Sequence, residues 1–405
     1  MTLRHIPLDA INRSHLQRLI EEAVSEARDI DYKQDTYANA DKDHAEYLAD
    51  ISSFANAAGG DIVIGMTEQA GVPTGFAPLP IDIDAEILRL ENIARSGLQP
   101  RIFGLTARGV PLAGGGQVLI VRIPRSYIQP HRIVRQGRPG DLRFWARSSK
   151  GKYEPNVDEL RLLFNRAPQL ADRVRDFRFN RISKIVADDA PVSLGGKQLF
   201  IMHVAPLSSF DGAQAFQLNI GQQQQQYWTA FPLIGAQVGQ FRINVDGCLV
   251  LSDLRADKKT YRAYVQVFRS GIVESVDSMF LGPPENQSRL TAIRTEATIV
   301  KSSHAYLQSL QARDADPPYV VLVSLIGFKG QPYSFAMDGR TLFEDLAGVL
   351  DRDQFHFSEM IIEGVPFDRH EYAKLIRPLL DQTANAAGRA TSPSFDQTGR
   401  FTLSV

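Results

Sequence analysis

Two blocks near the start of the chain decide the fold: Glu26-Ala-Arg-Asp-Ile-Asp-Tyr-Lys33, and Phe54-Ala-Asn-Ala-Ala-Gly-Gly-Asp-Ile-Val-Ile-Gly-Met-Thr-Glu68. In the first block, apolar and charged residues alternate with a period of two. This alternation predicts a strand that turns Asp29, Asp31 and Lys33 to one face and two apolar residues to a core.

A helix and a second strand are predicted to follow. Apolar residues recur every three or four positions from Ala45 to Ala58, and the pair Asp43 and Glu46 suits a capping box at the start of a helix. Gly59-Gly60 suits the end of that helix, and residues 61–66 are apolar enough for a short buried strand. The unit is therefore strand, helix, double-glycine turn and strand, with acidic residues where the strands meet their loops.

Three carboxylates and one lysine from these blocks are candidates for chemistry. Oxygen ligands of this kind suit Mg²⁺ or Mn²⁺, and a nearby lysine can neutralise a phosphate oxygen during phosphodiester cleavage. The predicted metal ligands are Glu26, Asp31 and Glu68, and Lys33 completes the catalytic set. The alternative is a solvated strand face with a helix-capping acid, because spacing alone does not separate the two interpretations.

The two blocks resemble the Schlafen-type AlbA-like domain. That family has an acid five residues before Glu-Phe-Lys, then Phe-Ala-Asn-x-x-Gly-Gly, then Gly-Val-Asp-Asp. Here Glu26 lies five residues before Asp31-Tyr-Lys33, the second motif is Phe54–Gly60, and Gly65–Glu68 stands for the last. Asp31 replaces the usual Glu and Glu68 the usual second Asp, so each carboxylate is kept but its reach changes by one methylene.

The resemblance covers roughly residues 10–165 and implies an α+β fold, with a mixed sheet and packed helices in the N-terminal domain. Beyond Phe164 the composition shifts to a basic helix candidate and then to a strand-rich pattern, which predicts a second α+β domain. The predicted division is a Schlafen AlbA-like domain (1–165), a basic linking helix (166–190), a C-terminal α+β domain (191–383) and a flexible tail (384–405).

The resemblance also implies two competing functions. One is a Mg²⁺- or Mn²⁺-dependent endoribonuclease that acts on tRNA-like or single-stranded RNA, with a role in phage defence as a further expectation. The other is a non-catalytic nucleic-acid- or ATP-binding regulatory protein, although the chain has no Gly-x-x-x-x-Gly-Lys-Ser/Thr loop. A homodimer or a complex with defence-system partners is a further expectation, since Schlafen nucleases use two related lobes.

A basic block follows the acidic start of the chain. Residues 1–110 contain ten basic and seventeen acidic residues, whereas residues 122–152 contain nine basic residues against Asp141 alone. A local field of that sign attracts phosphate, although half of these side chains could merely solvate a hairpin. Family-like residues recur in this block at 124–126, 130–131 and 144–149. The predicted nucleic-acid-binding residues are Arg125, His131, Arg132, Arg135, Arg143, Arg147, Lys150 and Lys152.

His131 has two interpretations from sequence. It is either a general acid or phosphate contact beside the carboxylates, or a histidine satisfied by backbone groups in the turn after Pro130. The second is favoured slightly.

Composition places the chain among ordinary globular proteins. It has 405 residues, a net charge of −1 and one cysteine, Cys248, which excludes an internal disulfide framework. The start lacks the apolar run of a signal peptide, and no stretch of eighteen apolar residues occurs. The expectation is a cytoplasmic protein without a membrane partner.

Overall fold

The computed structural model describes residues 3, 6, 8–134, 142–210, 229–278, 290–313, 315, 317–334 and 346–403. The chain divides into two compact units, Met1–Ala171 and Asp172–Val405, called here the N-terminal and C-terminal units. Each contains helices and sheets, so the predicted α+β class is confirmed.

The N-terminal unit contains three helices, the first part of a fourth, and ten described strands. The helices are α1 (Arg13–Glu21), α2 (Asp41–Ala55), α3 (Ile83–Gly97) and α4 (Val157–Val186), which continues into the C-terminal unit. The strands are β1 (Ile30–Lys33), β2 (Gly60–Ile64), β3 (Met66–Gln69), β4 (Val72–Phe76), β5 (Leu98–Gln99), β6 (Thr106–Pro111), β7 (Gln117–Ile123), β8 (Arg132–Ile133), β9 (Ala146–Ser148) and β10 (Gly151–Tyr153).

A four-stranded mixed sheet in the order β1-β2-β7-β6 forms the centre of this unit. The β1 and β2 strands are parallel, joined by α2, and the other pairs are antiparallel. The alternation predicted for β1 is confirmed, because Ile30 and Tyr32 are buried in one apolar core while Asp31 and Lys33 lie on the other face. A second core lies between the sheet, α2 and α3.

The start of α2 differs from the predicted capping box. The residue before α2 is Ala40, which makes no side-chain cap, so the proposed Asp43–Glu46 box is wrong. Two acids in the first turn, Asp41 and Asp43, still complement the helix dipole.

The C-terminal unit is organised around a largely antiparallel sheet. Its described strands are β11 (Leu199–Pro206), β12 (Gln240–Ile243), β13 (Gly247–Leu251), β14 (Ala263–Phe268), β15 (Val273–Asp277), β16 (Leu290–Thr291), β17 (Tyr319–Ile326), β18 (Pro332–Ser334), β19 (Leu346–Val349), β20 (Gln354–His356) and β21 (Met360–Ile362). The main sheet runs β12-β13-β14-β15-β11-β17-β20, with β21 also paired to β17. Three helices, α5 (Ala292–Gln311), α6 (Arg369–Leu375) and α7 (Arg377–Asn385), contribute to its largest core.

The predicted basic linking helix is the second half of α4, and two of its arginines are used inside the C-terminal unit. Arg181 forms a bidentate ion pair with the fully buried Glu274, and both N–O distances are 2.8 Å. Arg178 is buried and contacts Glu359 at 2.7 Å. These side chains therefore fasten α4 to the sheet and its flanking segment instead of extending a basic surface.

The last described residues are also packed, although the sequence predicts a flexible tail from residue 384. Phe401 and Leu403 are buried in the main core of the unit, and the Thr402 N–H donates to the Ser394 carbonyl at 2.8 Å. Apolar residues spaced through a polar segment supply these contacts.

Candidate nucleic-acid interface

The motif Phe54–Gly60 positions two loops beside the sheet, chiefly through Asn56. The Asn56 side chain donates to the carbonyls of His131 at 3.0 Å and Trp145 at 2.8 Å. Its oxygen accepts from the His131 N–H at 2.7 Å. Because Asn56 is buried, these three bonds satisfy backbone groups that water cannot reach.

The two glycines of the motif are required by close backbone approach. Gly59 has φ +75°, and a Cβ there would lie 2.5 Å from the Arg125 nitrogen. A Cβ on Gly60 would lie 2.5 Å from the Phe54 ring and 2.6 Å from the Asp29 carbonyl oxygen. No side chain fits at either position, so the chain can pass from α2 into β2 only with glycine here.

Asp31 is paired with an arginine from the basic block. The Arg147 guanidinium lies 2.5 Å from Asp31 Oδ1 and stacks 4.1 Å from the centre of the Phe54 ring. Arg147 also donates to the Ala27 carbonyl at 3.3 Å. Both charged side chains are buried, so Arg147 fastens β9 to β1 and balances the charge of Asp31.

Two lysines share a buried acid next to this pair. Lys33 Nζ lies 3.4 Å from Asp31 Oδ2 and 3.4 Å from Asp50 Oδ2. Lys152 Nζ lies 2.7 Å from Asp50 Oδ1. The Tyr37 hydroxyl also donates to Asp50 at 2.7 Å, so every oxygen of this buried carboxylate has a partner.

One exposed acid completes this group. Glu46 Oε1 lies 3.9 Å from Lys33 Nζ and 4.0 Å from Lys152 Nζ. Burial alone would lower the pKa of Lys33, but Asp50, Asp31 and Glu46 outweigh it and raise that pKa. We call Asp31, Lys33, Glu46, Asp50, Arg147 and Lys152 the charge network.

Sequence reasoning missed two members of the network, Glu46 as a lysine partner and Asp50 altogether. A usable signal exists: the two acids are four residues apart on α2, so they share one helix face. Arg147 and Lys152 are likewise register partners in the β9–β10 hairpin, which puts both side chains on one face.

The other two predicted metal ligands lie at a different turn. Glu26 Oε1 accepts from the Tyr32 N–H at 3.0 Å, and Glu68 Oε2 accepts from the Gly71 N–H at 2.5 Å. The Glu26 N–H donates to the Gly71 carbonyl at 2.6 Å, so both acids lie close to Gly71. Burial, together with the charges of Asp31 and Glu68, raises the pKa of Glu26.

This arrangement does not fit a divalent cation. Among the described residues, no three Asp, Glu, His or Cys side chains are grouped closely enough to hold a metal ion. The reason is visible in the contacts, because Asp31 is occupied by Arg147 and Lys33 while Glu68 caps its own turn. The structure therefore gathers Lys33 and Asp31 with cations of the basic block and leaves Glu26 and Glu68 beside them.

The basic block serves both the interior and the surface. Arg147 is internal, and Lys152 is half-buried against Asp50. Arg132 donates to Gln99 at 2.9 Å, and Arg125 stacks 6.0 Å from the Tyr127 ring centre. Arg143 and Lys150 are exposed, and the nearest ion-pair contact of Arg143 is Glu154 at 3.9 Å. Arg135 lies outside the described residues.

His131 belongs to the interior. It is fully buried, its ring Nδ1 lies 2.7 Å from the Pro100 carbonyl oxygen, and burial lowers its pKa. A fully buried imidazole does not reach the surface in this structure, and its contact with the Pro100 carbonyl is the backbone contact of the second interpretation.

The segment containing this network matches a known family. Residues 26–156 match the model described as Schlafen, AlbA_2. Over these residues the chain is similar to the Schlafen AlbA_2 domain. The match includes every member of the charge network and both glycines of the Phe54–Gly60 motif, and the family points to a nucleic-acid-related function.

Two solved structures are similar to parts of the chain. One is the solution structure of the N-terminal domain of a putative ATP-dependent DNA helicase RecG-related protein from Nitrosomonas europaea, at 20% identity, covering 35% of this chain and 90% of that one, with a TM-score of 0.25. The other is the crystal structure of the DIP2311 protein from Corynebacterium diphtheriae, at 11% identity, covering 75% and 80%, with a TM-score of 0.26. Scores this low bear on neither fold nor function. No curated protein gives a significant match.

Within the described residues, no helix has both the length and the apolar character needed to cross a bilayer.

Proposed function

We propose that the Schlafen AlbA_2 domain binds nucleic acid through backbone phosphates, using cations around the β9–β10 hairpin. The observation that carries the proposal is the exposure of Arg143 and Lys150 near the partly exposed Lys152, within a domain of a nucleic-acid-related family. Exposed cations of this kind supply the sequence-independent part of nucleic-acid affinity.

The internal ion pairs support this assignment by fixing the hairpin. Arg147 and Lys152 hold it against β1 and α2 through Asp31 and Asp50, so Lys150 projects from an anchored element and Arg143 lies three residues before its first strand. Little conformational entropy is then lost when phosphates bind. RNA, tRNA-like or single-stranded, is the ligand that the resemblance favours.

The test is a titration of labelled tRNA, single-stranded RNA, single-stranded DNA and duplex DNA at several salt concentrations. Arg143→Gln with Lys150→Gln should weaken binding about ten-fold and make the salt dependence shallower by about two counterions. Arg161→Gln, an exposed arginine on α4, is the matched control and should change affinity less. Equal losses in both proteins would refute the hairpin as the interface.

Metal-dependent cleavage of RNA is a second candidate. The observation that favours it is the contact of Glu26 and Glu68 with the same residue, since the Glu26 N–H donates to the Gly71 carbonyl and Glu68 accepts from the Gly71 N–H. A shared Mg²⁺ or Mn²⁺ would require Asp31 to exchange Arg147 for the cation, and the acids would have to converge. ATP binding, a role in phage defence and a homodimer remain predictions.

Cleavage is tested with the same RNAs in Mg²⁺ or Mn²⁺, comparing wild type with Glu26→Gln and Glu68→Gln. These two side chains are less buried than Asp31, so the variants should fold. Metal-dependent cutting that both variants lose supports the nuclease. If the wild type binds RNA but does not cut it with either metal, only the binding function is supported.

A further inference from the structure

Without Glu46, the charge network contains more cations than carboxylates. The buried part contains two carboxylates, Asp31 and Asp50, and three cations, Lys33, Arg147 and Lys152. Glu26 also acts on Arg147 from the neighbouring turn, and Glu46 is the acid that lies against the two lysines.

Glu46 is held loosely. Its side chain is 45% exposed, and its oxygen lies at the outer limit of ion pairing from both lysines. An exposed carboxylate at such distances gains little from the contact. By contrast, the buried Asp50 holds Lys152 at 2.7 Å and is itself fixed by Tyr37. The two ammonium groups are thus positioned by Asp50, whether or not Glu46 is present.

A single Glu46 oxygen marks a point within 4.0 Å of both ammonium groups. A phosphate group carries several acceptor oxygens and could give each lysine a shorter, charge-assisted hydrogen bond than the carboxylate does. The lysines remain about a quarter exposed, so a ligand can reach them from solvent.

We propose that Lys33 and Lys152 together bind one phosphate of the nucleic acid, and that the Glu46 carboxylate occupies the place of that phosphate in the free protein. This inference rests on the proposed binding function and adds a regulating residue to it. Glu46 competes with the ligand for the same two cations and so lowers the affinity for nucleic acid.

The experiment measures the affinity of labelled single-stranded RNA for the full chain at low salt. Removing the competitor with Glu46→Gln should tighten binding about five-fold, a change of the size expected for one ion pair of this exposure. Asp158→Asn removes an equally charged, exposed acid from α4 of the same unit and should change affinity less than two-fold.

A double-mutant cycle locates the effect. In a Lys152→Met background, Glu46→Gln should give less than half of its gain, because one of the two contested cations is gone. Thermal unfolding checks that Lys152→Met folds, and if it does not, the comparison of Glu46→Gln with Asp158→Asn still decides. Equal affinities for those two variants would overturn the inference alone. Absence of RNA binding by wild type would overturn the binding function and this inference with it.

Discussion

The Arg147 guanidinium meets the Asp31 carboxylate at 2.5 Å, where both side chains are buried and the guanidinium stacks over the Phe54 ring. This contact joins the two halves of the sequence signature, since Asp31 comes from the acidic strand and Arg147 from the basic block. Asp31, which was expected to bind metal, and Arg147, which was expected to bind phosphate, therefore form an ion pair with each other.

The first prediction concerns the stability of that pair. Arg147→Met keeps an apolar stem over Phe54 but leaves the Asp31 carboxylate with Lys33 alone, and it should lower the free energy of unfolding by about 3 kcal/mol. Urea unfolding of the chain measures the change. Adding Asp31→Asn to Arg147→Met should recover part of the loss, whereas the exposed Arg143→Met should cost less than about 0.5 kcal/mol. A loss as small in Arg147→Met as in Arg143→Met would contradict the structural role.

The uncharged Asn56 should contribute as much to the free energy of unfolding as the Arg147–Asp31 pair does. Asn56→Ala removes three hydrogen bonds and leaves the buried backbone groups at His131 and Trp145 without partners, at a cost of about 2–4 kcal/mol. Asn56→Asp keeps the acceptor for the His131 N–H but loses both donors, so it should be no better than alanine. Calorimetric unfolding temperatures rank the variants, and an unchanged temperature for Asn56→Ala would show that the bonds are dispensable.

Gly59 gives a test of backbone geometry. Gly59→Ala places a Cβ 2.5 Å from the Arg125 nitrogen at φ +75°, and it should destabilise the domain by about 2 kcal/mol or more. Gly114→Ala is the matched control, because nothing lies within 4 Å of its Cβ position and its φ is not positive. Chemical denaturation of the two variants should separate them clearly, and similar midpoints would contradict the close approach.

Glu296 on α5 predicts a pH dependence for the C-terminal unit. Burial raises the pKa of this carboxyl from 4.5 to about 7, against the hydrogen bond that the Ser392 hydroxyl donates to it and with help from Asp381. The folded chain thus retains a proton that the unfolded chain releases. The contribution of Glu296 to the free energy of unfolding is fully present below about pH 4.5. It is lost as the pH rises to about 7, a change of about 3 kcal/mol in all.

Glu296→Gln should remove this part of the slope between pH 5 and pH 8, which urea unfolding at each pH would detect. The exposed Glu371→Gln on α6 serves as the control and should keep the wild-type slope. Parallel slopes in wild type and Glu296→Gln would mean that Glu296 does not titrate in this window.

The sequence predicts the local elements well and their partners poorly. Alternation at Ile30 and Tyr32 and the double glycine after Phe54 are local signals, and they correctly predict β1, the end of α2 and the start of β2. Asp50 and Arg147 differ, because their roles depend on contacts between residues about one hundred positions apart. A charged residue in a basic block looks the same whether it will face solvent or a buried carboxylate.

Hairpin register adds a constraint on related chains. Arg147 and Lys152 reach Asp31 and Asp50 only because the two-residue connection at 149–150 makes them direct cross-strand partners. One inserted residue there would turn one of them to the opposite face. We therefore expect insertions and deletions in relatives that keep both cations to avoid this connection, however freely other loops vary in length.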